Sequence, residues 1–136
     1  MKYLMLTIAG LAFASPALAA GDAAKGAAAF MKCKACHSIT KDDGTDVVKG
    51  GKVGPNLFGV VGRKAGSAAG FAYSDVMKAA GDKGLVWDEA NIVAYLPDPT
   101  KFLEDKSGDA TGRSKMTFKL TSGAEDIVAY LATAGK

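Results

Sequence analysis

The sequence predicts a mostly α protein of one domain, built from short helices joined by long irregular loops. Three observations carry this. Gly and Ala are abundant, apolar residues recur at helical spacing in several short stretches, and strands find little support. The 136 residues suit a single domain once a leader is set aside.

That leader is residues 1–19. Lys2 supplies a positive start, residues 3–13 are mostly apolar, and Ala17-Leu18-Ala19 after Pro16 is a small-x-small cleavage site. A secretory signal peptide cut after Ala19 is expected; a cut after Ala20 would place Leu18 at the −3 position. The apolar run falls short of the ~20 residues that a membrane span needs. Residues 20–136 then form the domain. Losing Lys2 lowers the formal charge from +3 to about +2, far from the excess of a nucleic-acid binder.

The mature chain opens with a helix over 21–31, with Asp22 as N-cap. Gly26 and Phe30 share one face of it. A mid-helix Gly costs ~1 kcal/mol against Ala, which points to a close helix crossing. Residues 38–54 carry Asp42-Asp43-Gly44 and Lys49-Gly50-Gly51 and read as loop, continuing as ordered turns through Pro55 and Gly66. Ser74 caps a helix over 75–80 that Gly81 ends, and Asp88 caps another over 89–96, with Ile92, Tyr95 and Leu96 on one face. Pro97 stops it. Asp98-Pro99 starts a helix through about Glu104, and residues 107–115 form a polar loop. Ser122-Gly123-Ala124-Glu125 reads as a capping box for the last helix, where Ile127, Tyr130, Leu131 and Ala134 repeat at helical spacing.

Chemistry concentrates in Cys33-Lys34-Ala35-Cys36-His37, which holds both cysteines and the single histidine. Cys-x-x-Cys-His is the attachment signature of a c-type haem. Thiols one helical turn apart can both form thioethers on one porphyrin edge, and the next residue can place its imidazole beneath the iron. A Cys-x-x-Cys disulfide would close a tiny loop and constrain little. A redox dithiol needs a βαβ setting that is not found, and a zinc site lacks a fourth ligand. With one histidine, bis-His ligation is excluded. Of the mature methionines, Met31 lies on the helix leading into the cysteines and Met77 inside an amphipathic helix. Met116 follows a polar loop that can deliver it to the opposite iron face. The carbonyl of Pro55 could accept the other ring N–H of His37 and so fix the imidazole.

With Gly26, Phe30, Gly54-Pro55-Asn56-Leu57, Gly62-Arg63-Lys64-Ala65-Gly66, Gly70-Phe71-Ala72-Tyr73, Trp87, Tyr95, Pro99, Ser114-Lys115-Met116-Thr117-Phe118 and the segment 125–131 in the same order, the chain resembles a class I c-type cytochrome, most closely the bacterial periplasmic cytochrome c2 group. The resemblance covers essentially all of the mature chain. It implies the cytochrome c fold, with first and last helices crossing through Gly26, Phe30, Tyr130 and Leu131 around one covalent haem c. It implies His37 and Met116 as axial ligands, with Pro55, Arg63, Tyr73, Trp87, Tyr95 and Phe118 as haem surroundings. Arg63, Tyr73 and Trp87 would approach the propionates, Tyr95 would hydrogen-bond near the Met116 sulfur, and Phe118 would cover the distal face.

Three positions depart from the family pattern. Pro97 shortens or bends its helix, Met77 stands where mitochondrial relatives have a small polar residue, and Ser114 replaces a commoner Thr while keeping the hydroxyl. The resemblance further implies a monomeric periplasmic one-electron carrier rather than an enzyme, taking electrons from a cytochrome bc complex to a photosynthetic reaction centre or an oxidase. Lys32, Lys34, Lys64, Lys101, Lys115 and Lys119 flank the segments that should border the haem edge and form a candidate basic docking ring. The competing class is a haem enzyme or sensor with Met116 unbound and the iron open.

Overall fold

In the computed structural model, residues 21–135 are described, and the expected signal peptide and its cleavage site lie outside them. Five α-helices are joined by loops. Helix α1 is Ala23–Ala29, and its N-cap is Asp22, whose carboxylate accepts from the amides of Ala24 and Lys25 at 2.9 and 3.0 Å. A 3-10 turn at Phe30–Lys32 follows. The amides of Lys34 and His37 then donate to the carbonyls of Phe30 and Cys33, so the cysteine segment stays wound as helical turn.

Helix α5, Ala124–Ala134, crosses α1 at Gly26. A β-carbon built on Gly26 would strike the Asp126 carbonyl and come within 2.8 Å of the Tyr130 Cβ. The glycine expected to mark a crossing does so. Phe30, 1% exposed, meets the Tyr130 ring at 5.6 Å, and the Asp22 amide donates to the Asp126 carboxylate at 2.7 Å. Aromatic contact and hydrogen bond thus pin the two helices on either side of the glycine.

Four local expectations change. Residues 38–54 are not all loop: β1, Ile39–Thr40, pairs antiparallel with β2, Asp46–Val48. The hairpin has no alternating apolar pattern. It is held by polar bonds, the Thr40 hydroxyl donating to Asp46 and the Asn56 side chain closing on both backbone groups of Thr40. Helix α2, Asp75–Asp82, is capped by Ser74 as expected but runs through Gly81. Gly81 is there because a β-carbon would hit the Ala65 carbonyl; Gly84, at φ 95°, makes the turn out. Helix α4, Pro99–Ser107, runs three residues past Glu104 to a left-handed Gly108. Helix α5 has no capping box: Gly123, at φ 80°, holds the N-cap position without a side chain, leaving Ser122 outside the helix.

Helix α3, Glu89–Tyr95, is capped by Asp88 and stops one residue early, before Pro97. Asp98 caps α4 through the Lys101 amide at 3.1 Å. The core gathers Phe30, Ile39, Leu103, Ile127 and Leu131, all at most 4% exposed, with Ile92, Tyr95 and Leu96 from α3 beside them. Among the described residues no helix is long and apolar enough to cross a membrane.

Candidate functional site

The helical turn after α1 and the loop after α4 face each other across a cavity of about 370 Å³. Cys33, Cys36 and His37 line it, and so does Met116. Both cysteines are unbridged thiols, Cys33 half-buried and Cys36 exposed. Burial, with Cys36 beside it, pushes the Cys33 thiol up, keeping it protonated despite the opposing pull of Lys32. His37 Nδ1 donates to the Pro55 carbonyl at 2.7 Å. A carbonyl can only accept, so the proton sits on Nδ1 and Nε2 keeps its lone pair. Burial lowers the His37 pKa, against the bond to Pro55, and favours the neutral ring that can bind a metal.

Gly54 lies flat against that ring, where a β-carbon would sit 2.7 Å from both nitrogens. Gly54→Ala should therefore displace the imidazole and lower stability by about 1–3 kcal/mol, the usual range for overpacking. Guanidinium unfolding checks this, and an unchanged midpoint would show that the ring has room to move.

The remaining expected surroundings also border the cavity. Arg63 donates to the carbonyls of Asn56 and Phe58 at 3.1 and 3.3 Å, and the Tyr73 hydroxyl accepts from the Ala68 amide at 3.1 Å. Trp87 is buried against Tyr95, ring centres 4.8 Å apart, and stacks on Phe102 at 6.0 Å. The Tyr95 hydroxyl pairs with Ser114 Oγ at 3.4 Å, and that oxygen accepts the Met116 amide at 3.1 Å. The hydroxyl kept at Ser114 thus links Tyr95 to the Met116 backbone. Phe118, 44% exposed, stands at the cavity mouth. Met31 is 58% exposed and does not line the cavity, whereas Met77 does.

Two thiols one turn apart, an imidazole with a free nitrogen, a thioether and mostly apolar walls fit a covalently bound haem. Among the described residues no cluster of three or more His, Cys, Asp or Glu side chains is placed to hold a bare metal ion.

No family model matches the sequence. The chain is 52% identical over 130 residues to a cytochrome c2 from Rhodobacter capsulatus, covering 96% of this chain and 94% of that one. It is 52% identical over 129 residues to a cytochrome c-550 from Paracoccus versutus, covering 93% and 84%. The solved structure of Rhodobacter capsulatus cytochrome c2 matches with a TM-score of 0.82 at 52% identity, over 85% of this chain and 100% of that one. The chain belongs to the class I c-type cytochromes of the cytochrome c2 group. Its fold is the cytochrome c fold. It is an electron-transfer protein, not an enzyme, with one covalent haem c.

The expected basic ring of this cytochrome is uneven. Lys64 pairs with Asp82 at 3.2 Å, Lys119 with Asp98 at 2.7 Å, and Lys101 with Asp105. Lys115 donates to the Ala72 carbonyl and lies over the Phe71 ring, 5.9 Å from its centre. Lys32 and Lys34 make no ion pair among the described residues. Sequence reasoning placed Pro55 correctly against His37 but missed the Gly54 contact and the apolar wall of Phe71, Ile92 and Ile127. Helical spacing marked Ile92 and Ile127 as buried without showing which surface they would face.

Proposed function

We propose that this cytochrome is a periplasmic, monomeric one-electron carrier. In this reading Cys33 and Cys36 would hold the haem through thioethers, and His37 Nε2 and the Met116 sulfur would ligate its iron. Electrons come from a membrane cytochrome bc complex and leave to a photosynthetic reaction centre or a terminal oxidase, and the chain reaches the periplasm after cleavage behind Ala19. The observation that carries it is that both thiols, the imidazole and Met116 border one cavity.

Bound haem supplies reversible one-electron chemistry at iron. The chain does the rest. Pro55 fixes the His37 tautomer and raises its basicity. Met116, filling the opposite position, would close the iron to oxygen and other small ligands, which disfavours the open-iron enzyme or sensor. Apolar walls from Ile92, Leu96 and Ile127 lower the local dielectric and disfavour the extra positive charge of the oxidised state. Arg63, Tyr73 and Trp87 offer polar tips for the propionates. Met77 is the competing thioether, but it is fixed within α2, where its amide is bonded to Ser74. Met116 sits on a segment free of helix.

A redox titration should give a one-electron slope. Reduction by a detergent-solubilised cytochrome bc complex should slow severalfold as salt rises from 0.1 to 1 M, because the Debye length falls from ~10 to ~3 Å. A rate indifferent to salt would count against electrostatic docking, and no reduction at all against that donor.

A further inference from the structure

The segment that carries Met116 is held from its two ends. Ser114 and Leu120 are buried, and of the residues between them only Met116 is partly buried; Lys115, Thr117, Phe118 and Lys119 are exposed. The Ser114 amide donates to Thr100 Oγ1 at 3.1 Å, and the Leu120 amide to the Leu96 carbonyl at 2.9 Å. Apolar packing therefore fixes little of this stretch, and its position depends on polar anchors.

Next to each anchor stands an ion pair that reaches α4. Arg113 donates to Glu104 Oε1 at 2.7 Å, and Lys119 donates to Oδ2 of Asp98, the cap of α4, at 2.7 Å. Arg113 and Lys119 lie three residues on either side of Met116. A cleft of about 470 Å³ separates the two sides, lined by Thr100 and Glu104 from α4 and by Met116 and Thr117 from the segment. Met116 borders both this cleft and the haem cavity. With open space on its far side, it is kept at the cavity by struts to α4 rather than by a filled wall. The pairs Lys64–Asp82, Lys78–Asp75 and Lys101–Asp105 do not touch this segment.

Resting on the reading of Met116 as an iron ligand, we infer that Glu104 and Asp98 are positioning residues, which latch the Met116 segment to α4 and so hold the sulfur at the iron. The sulfur can withdraw only if the segment moves, and that movement breaks the pairs. The two are unequal. The Glu104 side chain is 21% exposed and that of Asp98 44%, so solvent and salt screen the Lys119 pair more. Glu104 is the main latch, and it sets how often small molecules find the iron open.

The test is the rate at which cyanide enters the ferric holoprotein, since it can take the sulfur's place only after Met116 leaves. Glu104→Gln should speed entry about tenfold, the scale of one hydrogen bond to a charged group. Asp98→Asn, which keeps a capping side chain, should speed it about threefold, within the range of an exposed pair. Asp105→Asn makes the same charge change one residue from Glu104, but its pair with Lys101 stays within α4. It should change the rate less than about twofold, with a guanidinium midpoint equal to that of Glu104→Gln. The Glu104→Gln/Arg113→Gln double should match Glu104→Gln, because both remove one interaction. Equal acceleration by Asp105→Asn, a double equal to the product of its singles, or a lowered midpoint with unchanged cyanide entry would overturn the latch. Met116→Ala should admit cyanide fast whether or not Glu104 is changed. Entry just as fast in the unaltered protein would count instead against Met116 ligation, the reading beneath this one.

Discussion

Met116→Ala should lower the reduction potential by on the order of 0.2 V, a quarter of the ~0.8 V that axial-ligand choice spans across haem proteins. As a ligand the sulfur would favour reduced iron, and its loss would open the position to water or a nearby lysine. The ferric protein should also lose the weak far-red band that Met-ligated haem shows in this family. Spectroelectrochemistry reads both effects in one sample. Met77→Ala is the control, because Met77 borders the same cavity. It should leave band and potential nearly unchanged. The opposite pattern would make Met77 the ligand and undo the Met116 assignment.

Gly26→Val should nearly abolish folding. The new side chain would be driven into the Asp126 carbonyl and the Tyr130 Cβ, both on α5. The α1–α5 crossing would have to open, exposing Phe30, Ile127 and Leu131. Overpacking alone costs about 1–3 kcal/mol, and separating these side chains adds ~1.5–3 kcal/mol for each one exposed. Against a total stability of ~5–15 kcal/mol, little folded protein should remain. Ala24→Val, on the exposed face of the same helix, should shift stability by less than about 0.5 kcal/mol. Guanidinium midpoints compare the two. Similar midpoints would mean that the helices do not need this close approach.

What could be read along the chain was the chemistry of short range. Asp22, Asp88 and Asp98 cap their helices because a cap needs only the next three amides. Pro97 ends α3 for an equally local reason. The approach of Pro55 to His37 was legible as a possibility, since a carbonyl and a ring N–H are natural partners. Gly123 escaped because Ser122 and Glu125 satisfy the capping pattern on paper, while the left-handed glycine between them takes the cap position. Gly81 was misread for a tertiary reason: its place in α2 depends on the Ala65 carbonyl, sixteen residues away. Lysine pairing is tertiary too. Lys119 meets Asp98 only because the Met116 segment folds back beside α4, so a cluster of lysines in sequence proved a poor guide to free charge.

The most direct measurement is the intact mass of the purified protein after acid–acetone extraction, made in a host equipped for cytochrome maturation. Mass and colour together report cleavage and covalent attachment. The expected result is a red protein whose mass equals residues 20–136 plus one haem, with the haem lost from neither mass nor colour by the extraction. Cys33→Ala/Cys36→Ala should give the bare polypeptide mass. A wild-type protein that emerges colourless, or with the mass of the polypeptide alone, would contradict attachment through Cys33 and Cys36.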